Sequence, residues 1–403
     1  MTLPPLSGPD QEPLTVPASF PPRTPICRSP PDSGPGGFFF SLTIDECERL
    51  TSNSSQDCAN GEWMMSRPVG SRRMLATLAL CMLAAPSVHA NDTTAVLGSG
   101  GLVFTRSDTI RMVREDLYIS PTRVTVDYVY RNDSNEPFST IVAFPMPRIG
   151  GDPYSMADIP DQESDNFMGF SVTQDGKSIT PNLQQRALLK GIDFTAELQA
   201  HGVPLQPFAE ATSAALRAVS PDVLSRWESQ GLIINMAYAE NGAPPPDYYP
   251  AWELDAVYWW ETTFPPGKDV AVSHAYRPSV GGTVAMVFIQ DGKPTEAYAE
   301  YKERYCIDDD FMKLAARLEK NQNFETGNVY FERWLSYILT TGANWAGPIE
   351  NFKLTVDKEH EKNYISFCGE GVRKVGPTTF EMTATDFYPQ RDLDLLLIVP
   401  VNY

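Results

Sequence analysis

Histidine suits proton transfer near neutral pH, and the 403-residue chain has four: His89, His201, His274 and His360. His274 is the most interesting, because Ser273 precedes it and Tyr276 shares its face if the stretch is a strand. Neighbours in a strand point to opposite sides, so His274 cannot activate Ser273 there. A buried histidine satisfied by backbone groups is the simpler expectation. Close by in sequence, Trp252, Tyr258 and Trp260 suggest a flat aromatic face for a sugar ring or a peptide. Glu261 beside them is the best available carboxylate for acid/base work. Together with His274 they form a possible ligand face, against which stands plain core packing of the aromatic rings.

Other reactive groups have simpler readings. Asp308, Asp309 and Asp310 resemble a metal site, but acids at a helix start cap free amides and offset the positive end of the dipole. The alternating spacing of a calcium loop is missing. The glycines at 98, 100 and 101 lack the spacing of a phosphate loop. No Gly-x-Ser-x-Gly elbow, His-Glu-x-x-His pair or Cys-x-x-Cys pair occurs. We therefore assign no catalytic residue, no metal ligand and no cofactor. The net charge of −19 argues against nucleic acid as a partner, since phosphate binding draws on clustered lysine and arginine.

The start of the chain carries an address. Residues 1–35 contain eleven prolines and little apolar periodicity, so residues 1–63 are expected to be a disordered, mis-assigned upstream extension. Arg67, Arg72 and Arg73 then precede the apolar run 74–85, and Val88-His89-Ala90 offers small residues for cleavage between Ala90 and Asn91. This is the layout of a secretory signal peptide over 64–90, with Met64, Met65 or Met74 as the true start. The run is short for a bilayer and no second apolar segment follows, so no transmembrane segment is expected in the mature chain. Export to the periplasm or medium permits disulfides. Four of the six cysteines lie ahead of Asn91, which leaves Cys306 and Cys368 as one bridge, with two buried thiols as the alternative.

These groups must be positioned by strands. Residues 257–278 read as a hairpin: Tyr258, Trp260 and Thr262 share one face of the first arm, and Val270, Val272, His274 and Tyr276 share one face of the second. Pro265-Pro266-Gly267 supplies the turn. A second hairpin is expected from 124–130 and 140–144 around a turn at 132–135. The tetrapeptide Gln-Asp-Gly-Lys occurs at 174–177 and again at 290–293, the latter after an expected strand 283–289, and Asp-Gly suits a tight hairpin turn. Helices are expected at 193–200, 208–219 and 222–230, the last with Ser220-Pro221 at its start and Gly231 at its end. Beyond Asp308 one helix precedes strands at 330–340, 352–357, 364–368, 379–385 and 393–399.

Several short segments together resemble a bacterial family, domain of unknown function 4424. They are Gly100-Gly101-Leu102, Glu115-Asp116-Leu117, Phe144-Pro145-Met146-Pro147, Gly191-Ile192-Asp193 with Pro204-Leu205, and Phe264-Pro265-Pro266-Gly267. His274-Ala275-Tyr276-Arg277-Pro278, Tyr305-Cys306-Ile307-Asp308, Thr341-Gly342-Ala343-Asn344-Trp345 and Ser366-Phe367-Cys368 complete the set. The resemblance implies an exported protein of a Gram-negative bacterium and carries no known reaction.

The expected fold is mainly β, with two β-sandwich-like domains at 91–292 and 293–403 and an α-helical insert at about 192–231 in the first. The expected role is a non-enzymatic binding or interaction protein of the cell envelope, its partner an envelope component or another protein. The rival is a carboxylate-dependent hydrolase acting on envelope glycans.

Overall fold

The computed structural model describes residues 91–98, 101–151, 157–237, 246–323 and 325–401. The expected extension and signal segment lie outside the described residues. Those described fall in one contact unit of the chain, Met82–Tyr403.

In chain order the strands of the first half are β1 (Thr93–Gly98), β2 (Gly101–Thr105), β3 (Ile110–Ile119), β4 (Val124–Asn132), β5 (Phe138–Pro145), β6 (Ile149–Gly150), β7 (Ser171–Gln174), β8 (Lys177–Ile179), β9 (Asn182–Leu189) and β10 (Ile192–Asp193). After three helices come β11 (Ile233–Asn235), β12 (Tyr248–Pro250), β13 (Glu253–Phe264), β14 (Asp269–Tyr276), β15 (Gly281–Gly282), β16 (Ile289–Gln290) and β17 (Lys293–Pro294). The last are β18 (Tyr330–Tyr337), β19 (Ile349–Asp357), β20 (Tyr364–Phe367), β21 (Arg373–Lys374), β22 (Thr379–Phe387) and β23 (Leu393–Pro400).

Three larger sheets result. The first has the order β10-β9-β13-β5-β1-β2 with β6 also on β13; the second runs β21-β22-β19-β3-β4-β14-β7-β8; the third runs β15-β18-β23-β20. The protein is mainly β. Large side chains at alternate positions of all three sheets meet in one apolar core, for example Phe144, Tyr258 and Trp260 from the first, Val126, Tyr128 and Val272 from the second, and Leu335 and Leu395 from the third.

Two expected hairpins are not hairpins. β13 pairs with β5 and β9, whereas β14 pairs with β4 and β7, so the links 133–137 and 265–268 carry the chain from one sheet to the other. The reason is burial: both arms of 253–276 turn their large residues toward the same interior, and facing sheets achieve that where a flat hairpin would not. Asn132 ties the two corners together. Its Nδ2 donates to the Phe264 carbonyl at 2.9 Å, and its own carbonyl accepts from the Gly267 amide at 2.8 Å. Gly267 has φ +64, which its missing Cβ permits.

The boundary expected between 292 and 293 does not separate sheets. β19 lies parallel to β3, so strands of both halves share the second sheet. The two Asp-Gly turns do form hairpins, β7–β8 and β16–β17, with both central residues at positive φ. The expected strand 283–289 shrinks to its last residue, because the Glu332 carboxylate accepts the Val287 amide at 2.6 Å in place of a ladder partner.

The helical insert comprises α1 (Thr195–Ala200), α2 (Glu210–Ala218) and α3 (Pro221–Ser229). Leu198, Leu216 and Trp227 pack there against Ala187 and Trp252. Two helices, not one, follow β17: α4 (Tyr298–Tyr305) and α5 (Asp309–Lys320), separated where Cys306 turns the chain at φ +54. Asp308 caps α5, accepting from the Phe311 amide at 2.7 Å. Among the described residues, no helix is long and apolar enough to cross a membrane.

Candidate functional site

The expected ligand face does not form. Trp252, Tyr258, Trp260 and His274 are at most 3% exposed, and only Glu261 reaches solvent. Trp252 lies under the helical insert with its Nε1 donating to the Leu205 carbonyl at 2.8 Å, while Tyr258, Trp260 and His274 point into the core between the sheets. Core packing accounts for the aromatic set.

His274 instead belongs to a sealed polar cluster. Its ring is edge-on to Tyr128, Phe144, Phe170 and Trp260, with centroids 4.7 to 5.5 Å away. Its Nε2 stands 3.5 Å from Asp92 Oδ1. Burial drives the imidazole down to about 3, so the ring is uncharged at neutral pH and the approach is not an ion pair; burial also pushes the Asp92 carboxyl well above its ordinary range. Tyr130 donates to Asp92 Oδ2 at 3.0 Å, and the Tyr128 and Tyr337 hydroxyls are 3.0 Å apart. The Tyr128 hydroxyl also donates to Asn91 Oδ1, whose Nδ2 donates to Glu115 at 3.1 and 3.3 Å. Burial pushes Glu115 up to about 8.

A β-bulge puts Glu115 there. Ile110 and Met112 face inward, the register slips between Met112 and Arg114, and from then on the odd residues 115, 117 and 119 face inward. Strict alternation from Ile110 would leave Glu115 outside, so pattern reading gives no hint of it.

Two of the surface hollows among the described residues bear on ligand binding. Glu261 lines a broad groove of about 920 Å³ with Val96, Leu97, Asp175 and Lys177. Its other carboxylate, Asp175, accepts from the Ala271 amide at 3.0 Å and so holds a turn. The second hollow, about 600 Å³, is an apolar cleft beside the disulfide. Its floor consists of the cross-strand pairs Phe352–Ala384 and Leu354–Met382 of β19 and β22. Phe387 stacks on Phe352 at 4.4 Å, and Ala384 also lines the cleft. Cys306 and Cys368, with sulfurs 2.07 Å apart, form one wall. At the rim Arg391 donates to the carbonyls of Glu303 and Arg304, at 2.7 and 3.1 Å. No spacing in the sequence signals this cleft, because its walls come from five separate segments.

A family model, described as domain of unknown function 4424, matches residues 90–396, which span every sheet described above. The chain belongs to this family. In this member of domain of unknown function 4424, segments that carry the resemblance in sequence meet in space: Glu115, Phe144, Phe264, His274, Thr341 and Trp345 all line or adjoin the sealed cluster. Among curated proteins, none matches the chain. A crystal structure of a candidate nutrient binding protein from Legionella pneumophila is similar at 16% identity, covering 77% of this chain and 70% of that one with a TM-score of 0.37. That likeness carries no argument about a ligand.

Proposed function

We propose that this protein is an exported, non-enzymatic binding protein of the bacterial cell envelope, which takes a small ligand with an apolar body in the cleft beside Cys306–Cys368. The observation that carries the reading is the composition of that cleft. An apolar floor of Phe352, Leu354, Met382 and Phe387 with a few polar groups at the rim is the usual make-up of a small-molecule site, and about 600 Å³ suits one. Catalysis finds less support. His274 is sealed and uncharged, and Glu261 faces an open groove whose second carboxylate is committed to a turn. The export part rests on the leader-like segment before Asn91 and on the paired cysteines.

The test uses 1-anilinonaphthalene-8-sulfonate, an apolar body with an anionic head. Saturable fluorescence at one site is expected, lost in Ala384→Trp and kept in Glu261→Ala. Equal binding by the wild-type and Ala384→Trp proteins sinks the cleft. Recovery of the chain from the cytoplasmic fraction of its own cells sinks the export reading.

A further inference from the structure

We propose that the pocket around Asn91 is a binding site for the α-ammonium group produced when the leader is cut off after Ala90, so that processing completes the core. The proposal rests on the export reading above for the cut itself; the pocket stands on its own geometry.

Residues 91–93 are gripped as a ligand would be. The Asn91 amide nitrogen donates to Thr341 Oγ1, and that hydroxyl donates back to the Asn91 carbonyl at 2.7 Å. Trp345 Nε1 donates to the Asp92 carbonyl at 2.8 Å, and Asn344 Nδ2 to Thr93 Oγ1 at 3.0 Å. Glu115 and Tyr128 hold the Asn91 side chain. Gly342 leaves room for it, since a Cβ there would stand 2.7 Å from Asn91 Nδ2. Asn91, Asp92 and Glu115 are all fully buried. The Asn91 nitrogen thus lies among buried polar groups.

Charge points the same way. Two carboxyl groups, Asp92 and Glu115, are buried together, and among the described residues none of their hydrogen-bond or ion-pair partners is a lysine or arginine. The other titratable groups facing them are Tyr128 and Tyr130 from β4, His274 from β14 and Tyr337 from β18, with Asp116 beside Glu115 on β3. None of these supplies a cation at neutral pH, and buried carboxylates without one are costly. Hydrolysis supplies it. An endopeptidase adds water across the Ala90–Asn91 bond, the carboxylate departs with Ala90, and the new amine on Asn91 takes up a proton. An ammonium on Asn91, which adjoins Asp92 in the chain and whose side chain reaches Glu115, would favour the ionised forms of both and offset the effect of burial.

Two defined chains test this, one beginning at Asn91 and one keeping His89 and Ala90 ahead of it. In the native Asn91 chain, reductive dimethylation is expected to label the α-amine slower than surface lysines by about tenfold or more, because reaction waits on local opening. In urea the protection disappears. The longer chain is expected to label at the lysine rate and to melt at a lower temperature. An unfolded α-amine has a pKa of about 8, and pairing raises it in the folded state. The melting advantage is therefore full below that value and is lost as pH rises through the folded one. Glu115→Gln should narrow the gap between the two chains; where that variant does not fold, the labelling comparison decides. A native α-amine that labels like lysine, or equal melting of the two chains, overturns the pocket. An exported chain that begins elsewhere than Asn91 overturns the cut and leaves the pocket to be judged on the defined chains.

Discussion

Glu115 Oε2 accepts a hydrogen bond from Asn91 Nδ2 at 3.1 Å, and neither residue has any exposed surface. The contact joins the first described residue to a strand whose bulge alone turns the carboxylate inward. Among the described residues, no lysine or arginine hydrogen-bonds or ion-pairs with this pair, which makes the cluster sensitive to small changes in shape and protonation.

Gly342 packs closely against that cluster. Gly342→Ala places a methyl group 2.7 Å from Asn91 Nδ2 and 3.1 Å from Ile349 Cδ1. We expect a loss of about 1–3 kcal/mol, the usual cost of overpacking a tight core. Urea unfolding of the two proteins measures it, and an unchanged midpoint refutes it.

The disulfide closes a loop of 62 residues, which in the chain-entropy model stabilises by roughly 4 kcal/mol. Cys306→Ser with Cys368→Ser is expected to lower the midpoint by that order. Because both residues wall the cleft, weaker dye binding should accompany it. Tight binding by the double variant would separate the wall from the site.

Glu332 titrates where stability can be followed. Burial pushes its carboxyl up to about 7, while hydrogen bonds from Tyr301 and the backbone partly offset the effect. A folded value above the unfolded one makes its contribution greatest below pH about 4.5 and lost as pH rises through about 7. The slope contributed between those limits is at most about 1.4 kcal/mol per pH unit. Glu332→Gln is expected to flatten the stability profile in that window, and an identical profile rules the effect out.

His274 offers a spectroscopic check. With its imidazole held down to about 3 by burial, its ring proton shifts should stay constant between pH 5 and pH 8. A titration midpoint inside that range would show a solvated ring and reopen the question of catalysis.

Much of the fold is legible in the sequence, because it depends on short-range rules. Alternation in 257–276 identifies which side chains of β13 and β14 turn inward, since a strand repeats every two residues whatever it pairs with. Asp175-Gly176 and Asp291-Gly292 mark their turns through positive φ angles that few residues accept. Asp308 caps its helix for a reason contained in three residues, and the isolated cysteines leave one pairing to make.

Tertiary structure decided what those rules leave degenerate. A Pro-Pro-Gly link serves equally well for a hairpin or for a step between sheets, and only the shared interior sends β13 and β14 to different sheets. The parallel pairing of β3 with β19 joins residues more than 200 positions apart, which no local pattern encodes. The bulge after Met112 reverses the facing of Glu115, and the Phe352–Ala384 pairing brings together two residues that line the cleft. Sequence period sets the direction of a side chain within its own element; what it meets there is fixed by which elements bury each other's apolar faces.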